Sequence, residues 1–537
     1  MPQGTATSSL NRNGNRPIIT GKDIPDDIWY LIASYLADGR RAEDLRRFMS
    51  IHRCFFNFVL DLKYGEVRWV RIDKAFMTIL KRLQSSVISS HVRRLYVRAW
   101  FVEYLLKREA DSKLTNHGYM GLASFLVPSL KKPTGVRSGN KDVPASRVVD
   151  SNLSAKKILP LLVTAMKGMT GVIEFHFEWR DLPLNKDTKM FLTTTRTTFS
   201  SSLRKLALQA QLSKFRELLA IADYENLDEL EFHFDYTPSR SPGDGSTAID
   251  DTDARELRDT ILPFIARRRS ALRSLSITAS STLDLSDFLR NLPFMPGLRR
   301  FESNISFCPS TLSDPSSFVQ ILDRHSTSLL HVSLKPGTPL RKRYWERVHE
   351  QLLLSRQALC DLESLEIPFL SPYDKTRLLV GRSCDTITKL WLTDCALELK
   401  GVEDVLNMFA HRPYALQDLH LGVRVLNLPL VHLLALRLPN LYSLTLVYAT
   451  CGDVGFFTPA DIEPAVHVVL FDWKLNEINL CQGKYQPPTL DTEPLMTVGL
   501  SEECHIMKLI SEQVPTIRTW KGFPKDRLTR FLSPYGH

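Results

Sequence analysis

One short phrase, Leu-x-x-Leu-x-Leu or a close variant, returns along the chain from Val172 to the C-terminus. It stands as VIEFHF at Val172, LRKLAL at Leu203, LDELEF at Leu227, LRSLSI at Leu272, LLHVSL at Leu329 and LESLEI at Leu362. It continues as ITKLWL at Ile387, LQDLHL at Leu416, LYSLTL at Leu441 and LNEINL at Leu475, with a degenerate copy, LRRFES, at Leu298. Its alternation is that of a short strand with apolar side chains on one face and polar ones on the other. A lone strand of this kind cannot bury its apolar side. Copies spaced 24 to 45 residues apart can bury it against one another and against intervening helices. The expectation is an α/β solenoid: a curved parallel sheet with helices on its outer side.

Length does not fix the domain count here, because a repeat array can take up most of 537 residues as one body. The content of 43% hydrophobic and 24% charged residues is that of a folded chain. The N-terminal MPQGTATSSLNRNGNRP lacks the apolar core of a secretory signal. The most apolar later stretch, LPLVHLLALRLPNL, is broken by His432, Arg437 and two prolines. A cytoplasmic or nuclear location, without a membrane, is therefore expected. The eight cysteines form no CxxC pair and no zinc-spaced set with histidine, so no metal or cofactor is expected. Cys395 follows its strand where a side chain bonds the turn backbone, which is a structural role.

The chain divides by composition. Residues 1–20 are polar and aperiodic and should be a disordered tail. In 21–70, DIPDDIWYLIASYL carries Pro25 and two acids where a helix start favours them, followed by apolar residues at helical spacing. DLRRFMSIHRCFFNFVLDLKY repeats that periodicity. A compact helical module results, too small to be very stable alone. Residues 71–108 hold a linker helix and a first strand, VRRLYVRAW. Residues 109–151 have the composition of an irregular loop, and the solenoid occupies 152–537 with a loop insertion at 236–254.

Net charge is +10. From Lys22 to Arg108 there are 17 Lys and Arg against 10 Asp and Glu, so much of the excess lies in the first hundred residues. No glycine-rich phosphate loop, GxGxxG, HExxH or GxSxG elbow is present, and no catalytic residues are assigned.

The module resembles the F-box, by which substrate receptors dock on the Skp adaptor of Skp-cullin-F-box ubiquitin ligases. The matching residues are Ile24-Pro25, Asp26, Asp27, Ile28, Ile32, Tyr35-Leu36, Asp44-Leu45, Phe48, Ser50, His52-Arg53, Phe55-Phe56, Val59 and a closing Trp69. Ile24 stands where the family usually has Leu, and the ADGRRAE link is longer and more charged than is typical. With the repeats, the whole is similar to fungal F-box proteins with irregular leucine-rich repeats. The resemblance implies a non-catalytic substrate receptor that reaches a cullin ligase through the adaptor. Apolar anchors at helical spacing place the adaptor contact at Ile24, Pro25, Ile28, Ile32, Leu36, Leu45 and Phe48, some of which would instead form the module's own core. Trp29 could serve as an anchor or as a contact to the repeats.

Within each phrase the third, fifth and seventh positions face away from the core, so a target-binding floor can be named from sequence. Glu174, His176 and Glu178, then Glu229, Glu231 and His233, with Lys205, Ala207 and Gln209 between them, make an acidic floor suited to a basic protein target. A solvated face with Lys205 compensating is the alternative. Lys389, Trp391 and Thr393 hold the same positions further on, where Trp391, flanked by Glu366 and His420, is a candidate hot spot unless a neighbouring segment covers it. The acidic floor speaks against nucleic acid. The rival reading is a scaffold whose helical module merely caps the apolar end of the solenoid.

Overall fold

The computed structural model describes residues 24–37, 45–98, 155–179, 186–222, 224–235, 248–279, 283–337, 342–370, 373–412, 414–452, 464–483, 500–520 and 523–524. Helix α1 spans Asp26–Ala37, a single 3-10 turn covers Arg46–Phe48, and α2 spans Arg53–Tyr64. Strand β1 follows at once at Glu66–Trp69, then α3 at Lys74–Arg82, α4 at Ser86–Ser89 and β2 at Arg94–Arg98. Thereafter strands alternate with helices: β3 (Glu174–Glu178), β4 (Lys205–Gln211), β5 (Glu229–Asp235), β6 (Ser274–Ala279), β7 (Arg300–Ile305) and β8 (His331–Pro336). They are followed by β9 (Ser364–Pro368), β10 (Lys389–Leu397), β11 (Asp418–Leu426), β12 (Ser443–Cys451), β13 (Glu477–Gln482), β14 (Thr519–Trp520) and β15 (Phe523–Pro524).

The fifteen strands among the described residues form one sheet in strict sequence order. β1 to β14 are parallel, and β15 turns back antiparallel on β14. Parallel neighbours joined by crossovers of one hand place the connecting helices on one side of the sheet. Burial agrees: β5 alternates between half-buried and buried residues along its whole length. The rung Val67–Leu95–Phe175–Leu206–Leu230–Leu275–Phe301 runs across successive strands on the helix side, each member at most 4% exposed. At about 1.5–3 kcal/mol for each large apolar side chain, this row and the parallel row two residues on are what hold the stack together.

Polar side chains fasten one repeat to the next. Arg324 donates to the carbonyls of Leu292 (2.9 Å) and Arg290 (3.2 Å), and Arg382 to those of Leu352 (2.9 Å) and Ala358 (3.0 Å). Arg268 does the same to Ala222 (3.2 Å). In each case a guanidinium from one repeat satisfies carbonyls that the end of the preceding helix leaves open. Helix starts are fixed by side-chain caps, Asp73 accepting from the Phe76 amide (2.7 Å) and Asn427 from that of Leu430 (3.1 Å).

Several boundaries differ from the sequence expectation. The sheet begins at β1, inside 21–70, and not with the solenoid at 152. VRRLYVRAW is the second strand and is paired on both sides. β1 escaped notice because Glu66–Trp69 offers only Val67 and Trp69 to the core and lacks the leucine phrase. The linker helix of 71–108 is the connection between β1 and β2, that is, an ordinary repeat helix. The insertion at 236–254 ends in a helix, Ala248–Glu256. The tail at 1–20, the loop at 109–151 and residues 236–247 lie outside the described residues. Among the described residues no helix is long and apolar enough to cross a membrane.

Candidate functional site

The helical module has a small core of its own. Trp29 stacks on His52 (5.1 Å) and meets Phe55 edge-on (5.7 Å), Tyr30 meets Phe58, and Phe48 lies against Phe55. Ala33, Leu45, Cys54, Phe55 and Val59 are buried among them. Arg53 reaches back to Asp26 at 2.7 Å, and the His52 ring caps α2 by accepting from the Cys54 amide. The continuous solenoid core begins only at Leu60 and Tyr64 on the last turns of α2. From there α2 passes through Gly65, whose carbonyl receives the amides of both Arg93 and Arg94 at 2.9 Å. His91 bonds Asp61 at 2.7 Å across the same junction. The module is thus built onto the first strand of the sheet, with no linker between them.

Its outward face is apolar. Ile28, Leu31 and Tyr35, at i, i+3 and i+7 on α1, are 42%, 50% and 75% exposed. Of the residues proposed for the adaptor contact, Ile28 lies on this stripe and Pro25 is exposed at the helix start, while Ile24, Ile32, Leu36 and Phe48 are half-buried. Leu45 is the correction: it is 1% exposed and belongs to the module's core. Trp29 also faces inward. Leu31 and Tyr35 were not among the proposed anchors, because placing the stripe on Ile28, Ile32 and Leu36 rotates it toward α2.

The open face of the sheet carries the second group. In register from β1 to β5 its rows are Glu66–Arg94–Glu174–Lys205–Glu229 and Arg68–Tyr96–His176–Ala207–Glu231. A third row, Arg98–Glu178–Gln209–His233, follows from β2. The acidic floor expected from β3 and β5 is therefore partly neutralised. Arg98 pairs with Glu178 at 2.7 Å, Arg94 with Glu174 at 3.1 Å and Lys205 with Glu231 at 3.3 Å. Arg68 pairs with Glu66. His233 faces Asp235 at 3.3 Å, and Gln209 donates to the same carboxylate at 3.1 Å. Applying the facing rule to VRRLYVRAW would have named Arg94, Tyr96 and Arg98 in advance. Those of Arg68 and Glu66 needed β1.

Burial raises the Glu229 carboxyl above its usual value. For Lys205, burial works against the charge, but Glu231 outweighs it and the ammonium is held more firmly. His176 is lowered by burial and by the Lys205 ammonium.

At the other end the same row is buried at two neighbouring positions. His420, taken from sequence as a solvent-facing neighbour of Trp391, is 3% exposed, and Thr445 beside it on β12 is 8% exposed. Burial drives the His420 imidazole down to about 4, so it is neutral at physiological pH. Trp391 is half-buried, its indole donating to Asp418 at 3.2 Å. This corrects the reading of His420 as a target contact: strand alternation gives the direction of a side chain, not its exposure. Cys395 bonds backbone, accepting from the Gly422 amide at 3.1 Å, and burial pushes its thiol up to about 12. Position 422 must be glycine, since a Cβ there would meet the Cys395 carbonyl.

Two groupings bring three metal-type donors together among the described residues: Asp26, His52 and Cys54, and Cys384, Asp385 and His411. In each the geometry already has an explanation, in the α2 cap and the Arg53 pair for the first and the His411–Asp385 pair (2.8 Å) for the second. Neither supplies the four donors of a structural zinc site. Among the cysteines, Cys308 stands apart: burial alone would raise its thiol, but hydrogen bonding by Ser306, Ser310 and Thr311 brings it down to about 7.

Comparison of the chain with protein-family models and with curated proteins finds no match.

Proposed function

We propose that this chain is the substrate-recognition subunit of a Skp-cullin-F-box ubiquitin ligase, with an F-box-like module at one end of a leucine-rich-repeat solenoid. The observation that carries the reading is the apolar stripe of Ile28, Leu31 and Tyr35, exposed on a helix whose other face is fixed against α2. Such a stripe suits a partner's hydrophobic groove. The open face at β2–β5 holds the protein target, and the chemistry is supplied by other subunits. The work of the receptor is proximity: the target's lysines are held at high effective concentration near the conjugating enzyme. A receptor of this kind acts in the cytoplasm or nucleus.

The second reading, a scaffold with a helical cap, has its own support. Leu60 and Tyr64 of α2 belong to the solenoid core, and the module covers the β1 end of the stack. Covering an apolar end does not require the outward stripe, however. The experiment is co-expression of the full-length chain with the Skp adaptor, beside a variant carrying Ile28→Asp, Leu31→Asp and Tyr35→Asp. Stoichiometric recovery that is lost in the variant, with unchanged circular dichroism, supports the receptor. Failure of the unaltered chain to recover the adaptor leaves the scaffold.

A further inference from the structure

A stack of flat groups crosses the open face of β1, β2 and β3 and stops short. The Arg68 guanidinium lies over the Tyr96 ring at 5.4 Å from its centroid. Tyr96 lies on His176 at 4.3 Å, with the ring planes 19° apart. All three share one row of the register. The next residue in that row is Ala207 on β4, and the one after is Glu231 on β5. Parallel strands stand about 4.8 Å apart, so the His176 ring and the Glu231 side chain rise from strands twice that distance apart with only the Ala207 methyl between them in that row, the Lys205 ammonium reaching Glu231 from the row beside it. A depression of about 150 Å³ opens there, its lining including Arg68, Tyr96, His176, Ala207 and Glu231, together with the Arg98–Glu178 ion pair.

We propose that this depression takes the arginine side chain of a bound peptide, its guanidinium lying on the His176 ring and facing the Glu231 carboxylate. Three features select that group. The gap above Ala207 continues an existing stack, and a guanidinium is a planar cation that stacks on aromatic faces, as an ammonium is not. Glu231 supplies the carboxylate, which Lys205 engages through one oxygen at 3.3 Å, while Glu178 is held by Arg98 and Asp235 by His233 and Gln209. His176 is kept neutral by burial and by Lys205, so its ring does not repel a cation.

The inference rests on the open face being the target surface and not on adaptor binding. It is tested with full-length protein titrated by N-acetyl-arginine methylamide, followed by nuclear magnetic resonance or calorimetry. The lysine and phenylalanine analogues serve as competitors in chemistry. Ala207→Leu fills the gap, and Glu231→Gln removes the charge while keeping the shape. The expected result is saturable binding of the arginine compound in the millimolar range, with the other two at least about tenfold weaker. Ala207→Leu abolishes binding and Glu231→Gln weakens it about tenfold, with unfolding midpoints unchanged. Equal binding of all three compounds, binding undiminished in Ala207→Leu, or no saturation by about 50 mM would overturn the proposal. Adaptor recovery, measured separately on the same proteins, tells loss of this site from loss of the ligase role.

Discussion

The two ends of the open face obey one sequence rule and arrive at opposite environments. At β2–β5 the outward row is half-buried except at Ala207 (7% exposed), is lined with ion pairs, and carries the depression whose floor Ala207 forms. At β11–β12 the same row passes through His420 and Thr445, both buried, while Asp418 and Ser443 beside them stay half-buried. A surface of ion pairs and a stretch of buried polar residues thus come from one alternation. What separates them is the chemistry each can bear: the first end tolerates new charge, and the second does not.

The sharpest way to break this contrast is to place one cation at the same row in both regions. Thr445→Lys buries an ammonium beside His420 and Asn479 and should cost more than about 3 kcal/mol in denaturant-derived stability. Ser276→Lys puts the same group between Glu231 and Glu302 and should change stability by less than about 0.5 kcal/mol. Equal costs would remove the distinction.

A comparable effect is expected from acid. The folded-state value of His420, about 4, lies below the ordinary histidine value of 6.5, so between them the unfolded chain binds the proton and the folded chain does not. Its contribution is fully present above about pH 6.5 and is lost as pH falls toward 4, up to about 3 kcal/mol in all. His420→Gln should flatten that part of the stability-against-pH curve. His176, His325, His331 and His349, lowered in the same sense, leave a residual slope in the variant. An unchanged curve would show His420 to be solvated. The smallest effect concerns the border of the buried stretch: Trp391→Phe removes the donor to the half-buried Asp418 and should cost about 1 kcal/mol by thermal unfolding, without altering arginine-analogue binding at β4.

The repeat phrase made the strand order and the core rungs legible, because Leu206, Leu208 and their counterparts sit where alternation puts them. It did not mark β1, whose four residues carry no leucine. With β1 unseen and the facing rule not carried to β2, the cations Arg68, Arg94 and Arg98 were missing from the floor, and only Lys205 stood against the acids of β3 and β5. The exposed stripe on α1 was half legible: Ile28 and Tyr35 fall on the helical spacing, though Tyr35 was not named as an anchor, while Leu31 depended on knowing that Trp29 and Ala33 turn toward α2. His420 could not have been placed, since sequence alternation carries no information about what covers the outer side.

The central claim is that the Ile28, Leu31 and Tyr35 stripe is a docking surface for the Skp adaptor. Hydrogen–deuterium exchange of the full-length chain with and without purified adaptor tests it directly. The account predicts slowed exchange along α1 and at the 3-10 turn Arg46–Phe48, with the open face from β2 to β5 unaffected. Unchanged exchange in α1, or protection confined to the sheet, would contradict it.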